Sequence, residues 1–322
     1  MVEYLEDTTT FEDIKLRRIK EGGTLYWIPD PKVYAKPGRY LPMELPVFYN
    51  PAMEINRDLT IVALAAYSSI FEREIEDITY VEGLAGTGIR GFRVLNEIGP
   101  MSVIMNDINS LCVRFIHFNA RFFPARIRSR AIILNYDANH LFSCLRLWKR
   151  PIDAIDIDPF GTPAPFIDSA IRAIRKKHGL LLVTATDTAP LIGKFEKSAL
   201  RKYGAWISQT PYRNEIGVRV LIYFIHRIAT KYRIAVKQLF GMFLKNFIKV
   251  ALLTIPGRKP ADKFWEKIGW IRIDEDSLEI EILKEPKDSK NILGPLWVGE
   301  IFDRDFIGEA LKQINETPLS DK

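Results

Sequence analysis

The order of strand, glycine loop, helix, strand and acid constrains the fold of this chain more than any other feature of its sequence. Residues 78–81 are rich in β-branched side chains, and they predict a strand that leads into Glu82. The glycines that follow, Gly86, Gly88 and Gly91, match the pattern G-x-G-x-x-G, and apolar residues at helical spacing come next. This arrangement is typical of the first β-α unit of a nucleoside-binding sheet.

Acids follow the next two predicted strands. The strand at 103–105 ends just before Asp107, which is placed to accept hydrogen bonds from both hydroxyls of a ribose. Asp107 also fits the N-cap of the following helix, and one carboxylate can serve both purposes. The strand at 131–134 leads to Asp137, which we expect to accept from an adenine amino group, with Ala138 donating its backbone N–H.

Glu82 bears on the choice between two nucleoside cofactors. NAD would place a pyrophosphate over the glycine loop, where the carboxylate of Glu82 repels it. S-adenosylmethionine carries no phosphate, and its sulfonium and ammonium groups are favoured by an acid. The loop around Gly86 and Gly88 then allows the backbone to approach this cofactor closely. A methyltransferase is therefore favoured over a dehydrogenase.

The motif Asp158-Pro159-Phe160-Gly161 follows a fourth predicted strand, 152–157, which the proline and glycine end abruptly. A carboxylate, a carbonyl and an aromatic face are thus presented together at the carboxyl end of a strand, where open α/β sheets bind ligands. These groups suit a planar amine, because Asp158 and the Pro159 carbonyl can accept its N–H groups while Phe160 stacks on the ring. Asp158 can also take the released proton as general base. A plain turn with Asp158 solvated is the alternative.

Positive charge is concentrated in the middle of the chain. Residues 165–250 carry 16 Lys and Arg against 4 Asp and Glu, whereas the net charge of the whole chain is only +6. We expect a phosphate-binding surface here, although a solvated face is the alternative. The candidate contacts are Arg175, Lys176, Lys177, Arg201 and Lys202.

Composition is typical of an intracellular enzyme, and we expect a cytoplasmic protein. The chain has 322 residues, 47% of them apolar, no apolar run long enough to span a membrane and no secretory leader at its start. Its two cysteines, Cys112 and Cys144, are too few for a disulfide framework or a cysteine-only zinc site, so we expect buried reduced thiols and no metal. Nothing in the sequence indicates a protein partner.

Strands and helices alternate from residue 78 to about 232, and this predicts an α/β fold with a Rossmann-like sheet. Apolar stretches at 239–244 and 247–254 predict an antiparallel pair that closes the sheet. We expect an N-terminal extension with short strands at 1–45, the main domain at 46–256 and a small α+β domain at 257–322, after the break at Pro256-Gly257.

The chain resembles the archaeal and eukaryotic tRNA guanine-26 N2-dimethyltransferases over roughly residues 46–300. The matching blocks include Pro46-Val47-Phe48-Tyr49-Asn50-Pro51, Asn56-Arg57-Asp58, Gly86-Thr87-Gly88-Ile89-Arg90-Gly91, Asp158-Pro159-Phe160-Gly161-Thr162-Pro163, Thr184-Ala185-Thr186-Asp187 and Gly294-Pro295-Leu296-Trp297. The resemblance implies an S-adenosylmethionine-dependent methyltransferase that acts on tRNA, with a shortened C-terminal tRNA-binding domain.

The resemblance also implies roles for individual residues. It implies cofactor contacts at Arg57, Arg90, Asp107, Asp137 and Ala138. It implies catalysis at Asp158, with Phe48 and Phe160 stacking on a flipped guanine. Two other functions stay open at this point: an inactive RNA-binding relative and, on the glycine loop alone, an NAD-dependent oxidoreductase.

Overall fold

The computed structural model describes residues 2–35, 41–274, 276–286, 292–317 and 319. The chain divides into two compact units. The first comprises Met1–Leu145, Lys149–Asp156 and Gly308–Lys322, and the second comprises Arg146–Trp148 and Ile157–Ile307. The domain boundaries expected after residues 45 and 256 are based on sequence pattern rather than on compactness, and they stay a prediction.

The first unit contains two sheets. Its strands are β1 (Glu3–Phe11), β2 (Ile14–Glu21), β3 (Thr24–Pro29), β4 (Thr79–Glu82), β5 (Ser102–Asn106), β6 (Ala131–Leu134) and β7 (Ala154–Ile157). The first three strands form an antiparallel sheet. The sequence predicts short strands in this region, whereas β1 and β2 are 9 and 8 residues long. The other four are parallel and lie in the order β6, β5, β4, β7.

The register of the parallel strands determines which residues meet at their carboxyl ends. Val81 pairs with Ile104 on one side and Ile155 on the other, and all three are fully buried. One step further along, Glu82 pairs with Met105 and Asp156. Because parallel strands in register end at one edge, the loops after β4, β5 and β6 lie close together, as the predicted site requires.

The helices of the first unit follow its strands. They are α1 (Pro31–Tyr34), α2 (Glu54–Ile70), α3 (Ile89–Glu97), α4 (Ser110–Ala120), α5 (Ala125–Arg128) and α6 (Ala138–Leu145). In α2 the apolar residues Ile61 and Leu64 are fully buried, but so are the polar residues Asn56 and Thr60. A helix that buries polar groups in its first turns needs hydrogen-bonding partners for them.

The second unit holds strands that are antiparallel to one another. Its strands are β8 (Leu180–Ala185), β9 (Ile234–Leu244), β10 (Phe247–Pro256), β11 (Ile268–Ile273), β12 (Ile280–Leu283) and β13 (Ile292–Trp297). β10 pairs antiparallel with both β8 and β9, which confirms the predicted antiparallel pair at 239–254. β12, β11 and β13 form a separate small antiparallel sheet within the predicted C-terminal domain.

The helices of this unit are α7 (Ile167–Ala173), α8 (Thr188–Leu191), α9 (Glu196–Tyr203), α10 (Arg213–Thr230) and α11 (Arg258–Phe264), and α12 (Arg304–Glu316) runs from this unit into the first. α10 is the main core helix, since Leu221, Ile222 and Ile225 are fully buried and it packs on β9 and β13.

Candidate active site

The glycine loop after β4 takes a conformation that side chains would disturb. Gly86 and Gly88 have φ angles of 55° and 77°, in the left-handed region, and Gly88 caps the start of α3. A Cβ at Gly88 would lie 2.8 Å from Ile116 of α4, and a Cβ at Gly91 would overlap the Met105 side chain of β5. The glycines therefore shape the loop and allow α3 to pack closely on the sheet.

Asp107, after β5, is bonded to the glycine loop. Its Oδ2 accepts the backbone N–H of Gly86 at 2.8 Å, and its Oδ1 accepts that of Asn109 at 2.9 Å. A carboxylate has about four acceptor positions, so these two bonds leave capacity for ribose hydroxyls.

Asn106 joins three loops at this edge, and sequence reasoning did not single it out. Its buried amide donates to the carbonyl oxygens of Gly83 at 2.9 Å and Tyr136 at 3.0 Å, and it accepts the Tyr136 N–H at 3.0 Å. Its own carbonyl accepts the N–H of Ala85. The available signal was an amide that directly follows an apolar strand, where a buried polar group must be satisfied.

Asp137 and Ala138 lie at the start of α6. Asp137 is exposed, and its Oδ1 accepts the N–H of His140 at 3.0 Å, so it caps the helix with one of its two oxygens. Ala138 is 4% exposed and is the first residue of α6. Five of the predicted cofactor contacts thus lie on neighbouring loops of the first unit: Gly86, Gly88, Asp107, Asp137 and Ala138.

Glu82 and Arg90 form a buried ionic cluster. The guanidinium of Arg90 lies 3.2 Å from the Glu82 carboxylate and 3.1 Å from that of Asp156, and it also donates to Asn56 and Thr60 at 2.8 Å. Glu82 also accepts the N–H of Gly91 at 3.1 Å. Glu82 at the end of β4 therefore shares Arg90 with Asp156 and supports the position of α3. Its predicted electrostatic effect on the cofactor stays a prediction.

Arg57 is buried in a second ionic cluster. Its guanidinium donates twice to Glu21 and also to the carbonyl of Asn50, while the Tyr49 hydroxyl donates to Glu21 at 2.8 Å. Burial would raise the pKa of Glu21, but the charges of Arg57 and Arg93 outweigh it and lower this pKa to about 2. Arg57 thus fixes the chain segment that carries Phe48.

Phe48 lies beside the glycine loop. The residue is 39% exposed, and its carbonyl oxygen is 3.5 Å from the position that a Cβ on Gly86 would occupy. The first unit therefore brings Phe48, the glycine loop and Asp107 into one region. The buried ionic clusters around Glu82 and Glu21 hold the segments that carry these residues in place.

The Asp158 motif follows β7 directly and lies in the second unit. Asp158 is half-buried, Pro159 is buried, and Phe160 is 74% exposed. Gly161 has a φ of 103°, and its N–H donates to the Thr186 hydroxyl at 2.7 Å. Its carbonyl accepts the N–H groups of Thr186 and Asp187 at 3.0 and 3.2 Å, so the motif is tied to the carboxyl end of β8.

A side-chain network fixes the same turn from the other side. The buried Tyr203 hydroxyl lies 2.8 Å from the Thr162 hydroxyl and donates to Asp187 at 2.7 Å, and Lys202 binds the other Asp187 oxygen at 2.8 Å. Burial, with the charge of Asp187, raises the pKa of Tyr203. Neither Thr186 nor Tyr203 was predicted as a site residue, because their meeting depends on how the loops come together.

The predicted basic surface is split. Arg201 and Lys202 are on α9, near the Asp158 turn, but the Lys202 ammonium is already held by Asp187. Arg175, Lys176 and Lys177 precede β8, whereas the turn is bonded to residues that follow it. The two groups are thus separated by the length of this strand, about 20 Å for six residues.

In the ranges that the structure describes, no group of three or more His, Cys, Asp or Glu side chains is arranged to hold a metal ion. No helix within those ranges has the length and apolar character needed to cross a bilayer. Cys112 is buried as predicted, whereas Cys144 is exposed on α6, so the prediction of two buried thiols is wrong for Cys144.

Comparison with known proteins gives a consistent result. A family model described as N2,N2-dimethylguanosine tRNA methyltransferase matches residues 28–321. A tRNA (guanine(26)-N(2))-dimethyltransferase of Methanocaldococcus jannaschii is 36% identical over 310 residues, which cover 94% of this chain and 78% of that protein. A protein of the same name from Pyrobaculum aerophilum is 37% identical over 285 residues, 88% of this chain and 72% of its own.

A solved structure shows the same similarity. The complex of Trm1 from Pyrococcus horikoshii with S-adenosyl-L-methionine has a TM-score of 0.81 and 28% sequence identity, and it covers 94% of this chain and 78% of that one. This similarity confirms the predicted fold class, a Rossmann-like methyltransferase sheet followed by a smaller C-terminal α+β region.

Proposed function

The chain belongs to the N2,N2-dimethylguanosine tRNA methyltransferase family, and from this premise we propose that it transfers two methyl groups from S-adenosylmethionine to the exocyclic N2 of guanine 26 in tRNA. The observation that carries the proposal is the family match over residues 28–321, which spans both the glycine loop and the Asp158 turn. We take residues 46–256 as the methyltransferase domain, tRNA as the partner and the cytoplasm as the place of the reaction.

The residues after β4, β5 and β6 fit a nucleoside without phosphates. Asp107 has acceptor capacity left for the ribose hydroxyls, and Asp137 and Ala138 would bind the adenine edge. An acid at this position also binds the ribose of NAD, so the family match, rather than Asp107, argues against an NAD-dependent oxidoreductase. When bound, S-adenosylmethionine supplies a methyl group on a strongly electrophilic sulfonium.

The Asp158 turn would prepare the amine. The lone pair of a guanine amine is delocalised into the ring, so the amine is a poor nucleophile. In the proposed mechanism, Asp158 and the Pro159 carbonyl accept its N–H groups, orient the lone pair, and Asp158 takes the released proton. Most of the acceleration comes from alignment of the amine with the methyl group, which needs no metal.

The target base must leave the helical stack before it reaches Asp158. Exposed aromatic faces hold flipped bases by stacking, and Phe160 and Phe48 are exposed aromatic residues beside the two proposed sites. Arg175, Lys176, Lys177 and Arg201 are proposed phosphate contacts, and Lys202 would have to share its ammonium with Asp187.

Nucleoside mass spectrometry tests this function. The protein and S-adenosylmethionine are incubated with an unmodified tRNA transcript that has guanine at position 26, and with a matched transcript that has adenine there. We expect N2-methylguanosine first and N2,N2-dimethylguanosine later, in the guanine transcript alone. An inactive RNA-binding relative would bind the transcript and leave both unmethylated; methylation of the adenine transcript would refute the assigned position.

A further inference from the structure

The second unit contains a pocket of about 230 Å³ at the amino end of β8, on the side away from the Asp158 turn. Its lining residues come from three separate stretches of the chain: Arg146, then Ile171, Arg172 and Lys176, and finally Tyr232 and Ile234. Ile171 and Ile234 are buried, and the three cationic residues are exposed. The pocket therefore has an apolar floor and a cationic wall.

The charges in this pocket are largely uncompensated. Within the described residues, neither Arg146 nor Lys176 has an acidic partner. One acid, Asp168, lies beside the pocket, where its carboxylate accepts from the Tyr232 hydroxyl at 2.9 Å. Arg172 reaches Asp168 only at 3.9 Å, the limit of an ion pair. Three cations around one small pocket favour an anion there.

The pKa of a neighbouring histidine reflects the same positive charge. Burial lowers the pKa of His178, and the charges of Lys177 and Arg175 lower it further. Burial and the bond to Asp168 raise the pKa of Tyr232, whereas the charges of Arg172 and Arg146 act in the opposite direction. Both guanidinium groups are thus near the Tyr232 hydroxyl.

The Tyr232 ring adds a surface for something larger than a bare ion. Its hydroxyl is anchored by Asp168, and the Arg172 guanidinium lies 6.0 Å from the ring centroid. Tyr232 is 36% exposed as a residue. A fixed aromatic face beside several cations is the arrangement with which proteins hold a phosphate together with the sugar or base attached to it.

We propose that this pocket binds one backbone phosphate of the tRNA substrate, with the attached nucleoside against Tyr232. The inference rests on the proposed function. The pocket is separated from the Asp158 turn by about the 20 Å length of β8, a distance that a folded RNA spans and a single nucleoside does not. A contact of this kind positions the RNA without reading its sequence.

The test compares two triple variants of equal charge. One carries Arg146→Gln, Arg172→Gln and Lys176→Gln; the control carries Lys15→Gln, Arg126→Gln and Arg128→Gln, exposed cations outside both the pocket and the predicted tRNA-binding domain. The dissociation constant for tRNA is measured over a range of salt concentrations. A lost phosphate contact reduces the slope of log affinity against log salt by about 0.7–0.9. We expect this reduction and several-fold weaker binding in the pocket variant, and neither in the control.

Further measurements keep the outcome decisive. Melting temperature and S-adenosylmethionine affinity without tRNA are recorded for every variant. The single variant Lys176→Glu must weaken tRNA binding while it keeps the melting temperature of the wild type. Equal slopes in the two triple variants would overturn the proposal. Inorganic phosphate and guanosine 5′-monophosphate are also titrated against each variant. If either ligand binds the wild type tightly, and only the pocket variant loses this binding while it keeps its affinity for tRNA, the pocket is a site for that free ligand and the proposal is overturned. If the wild type transfers no methyl group, the proposed function is refuted, but the comparison of tRNA binding between the two triple variants can still be interpreted.

Discussion

Asp107 shows how one side chain can combine a structural and a binding role. Its carboxylate holds the glycine loop through Gly86 and its own turn through Asn109, and it still has acceptor capacity for a ligand. The sequence left open whether Asp107 was a ribose acceptor or a helix cap. In the structure the cap of α4 is Asn109, so Asp107 is available for the loop and the ligand.

Replacement of Asp107 tests this assignment. Asp107→Ala removes both the proposed ribose acceptor and the anchor of Gly86, so we expect S-adenosylmethionine binding to weaken by about 1.5–3 kcal/mol, the range for hydrogen bonds to a charged group. Asp107→Asn keeps one acceptor oxygen and should lose less. Titration calorimetry measures both, and unchanged affinity in a folded Ala variant would remove Asp107 from the cofactor site.

Replacement of Asp158 tests the chemistry. Asp158→Asn keeps the shape and removes the charge and the proton acceptor, so we expect methyl transfer in single turnover to fall by about 10²–10⁴-fold. Binding of cofactor and tRNA should persist. Asp13→Asn, at an exposed acid outside the proposed cofactor, catalytic and tRNA-binding regions, is the matched control and should keep the wild-type rate. A near wild-type rate in the Asp158 variant would make this residue structural; loss of cofactor binding would place it in the cofactor pocket.

At the scale of elements, local pattern predicted much of the fold. The glycine loop between β4 and α3 and the antiparallel pair β9 and β10 follow from residues that are close in sequence. The predicted ligand-binding edge also follows, because parallel strands in register must end together. What could not be predicted depends on distant residues meeting. The Tyr203–Asp187 bond, the loops joined by Asn106 and the separation of Lys176 from the Asp158 turn all belong to this class.

The network behind the Asp158 turn gives a prediction at this scale. Tyr203→Phe keeps the ring contact with Phe224 and removes the hydroxyl that joins Thr162 to Asp187. We expect a loss of about 1–3 kcal/mol in stability, since Asp187 loses a donor, and a lower single-turnover rate at saturating tRNA with intact cofactor affinity. Tyr212→Phe, whose hydroxyl bonds an exposed carbonyl, is the control. A loss of stability without a change in rate would show that the network does not position the turn.

At the scale of the whole molecule, charge serves two separate purposes. Buried ion pairs in the first unit hold β2, α2 and α3 together through Glu21, Arg57 and Arg93. Exposed cations of the second unit, such as Arg146 and Lys176, have no such partners among the described residues and are available to an anion. The distribution of charge in the sequence shows the excess of cations. Only the burial of each side chain in the structure shows whether a cation belongs to an internal ion pair or is exposed to an anion.

The buried cluster makes stability depend on acid pH through Glu21. The folded pKa of Glu21, about 2, is below its ordinary value of 4.5. Its contribution to stability, about 3 kcal/mol, is therefore complete above pH 4.5 and is lost as the pH falls toward 2.

Glu21→Gln leaves Arg57 buried without its charge partner, and we expect this variant to lose about 3–5 kcal/mol of stability at pH 7. Burial raises the pKa of Glu97, which acts in the opposite direction, so only the difference between variant and wild type isolates Glu21. Urea unfolding is measured from pH 7 to pH 2. The difference in free energy of unfolding between the wild type and the Glu21 variant should narrow below pH 4.5, and Glu3→Gln, at an exposed residue, is the control. Parallel stability curves for wild type and the Glu21 variant would show that Glu21 does not carry this charge in the folded protein.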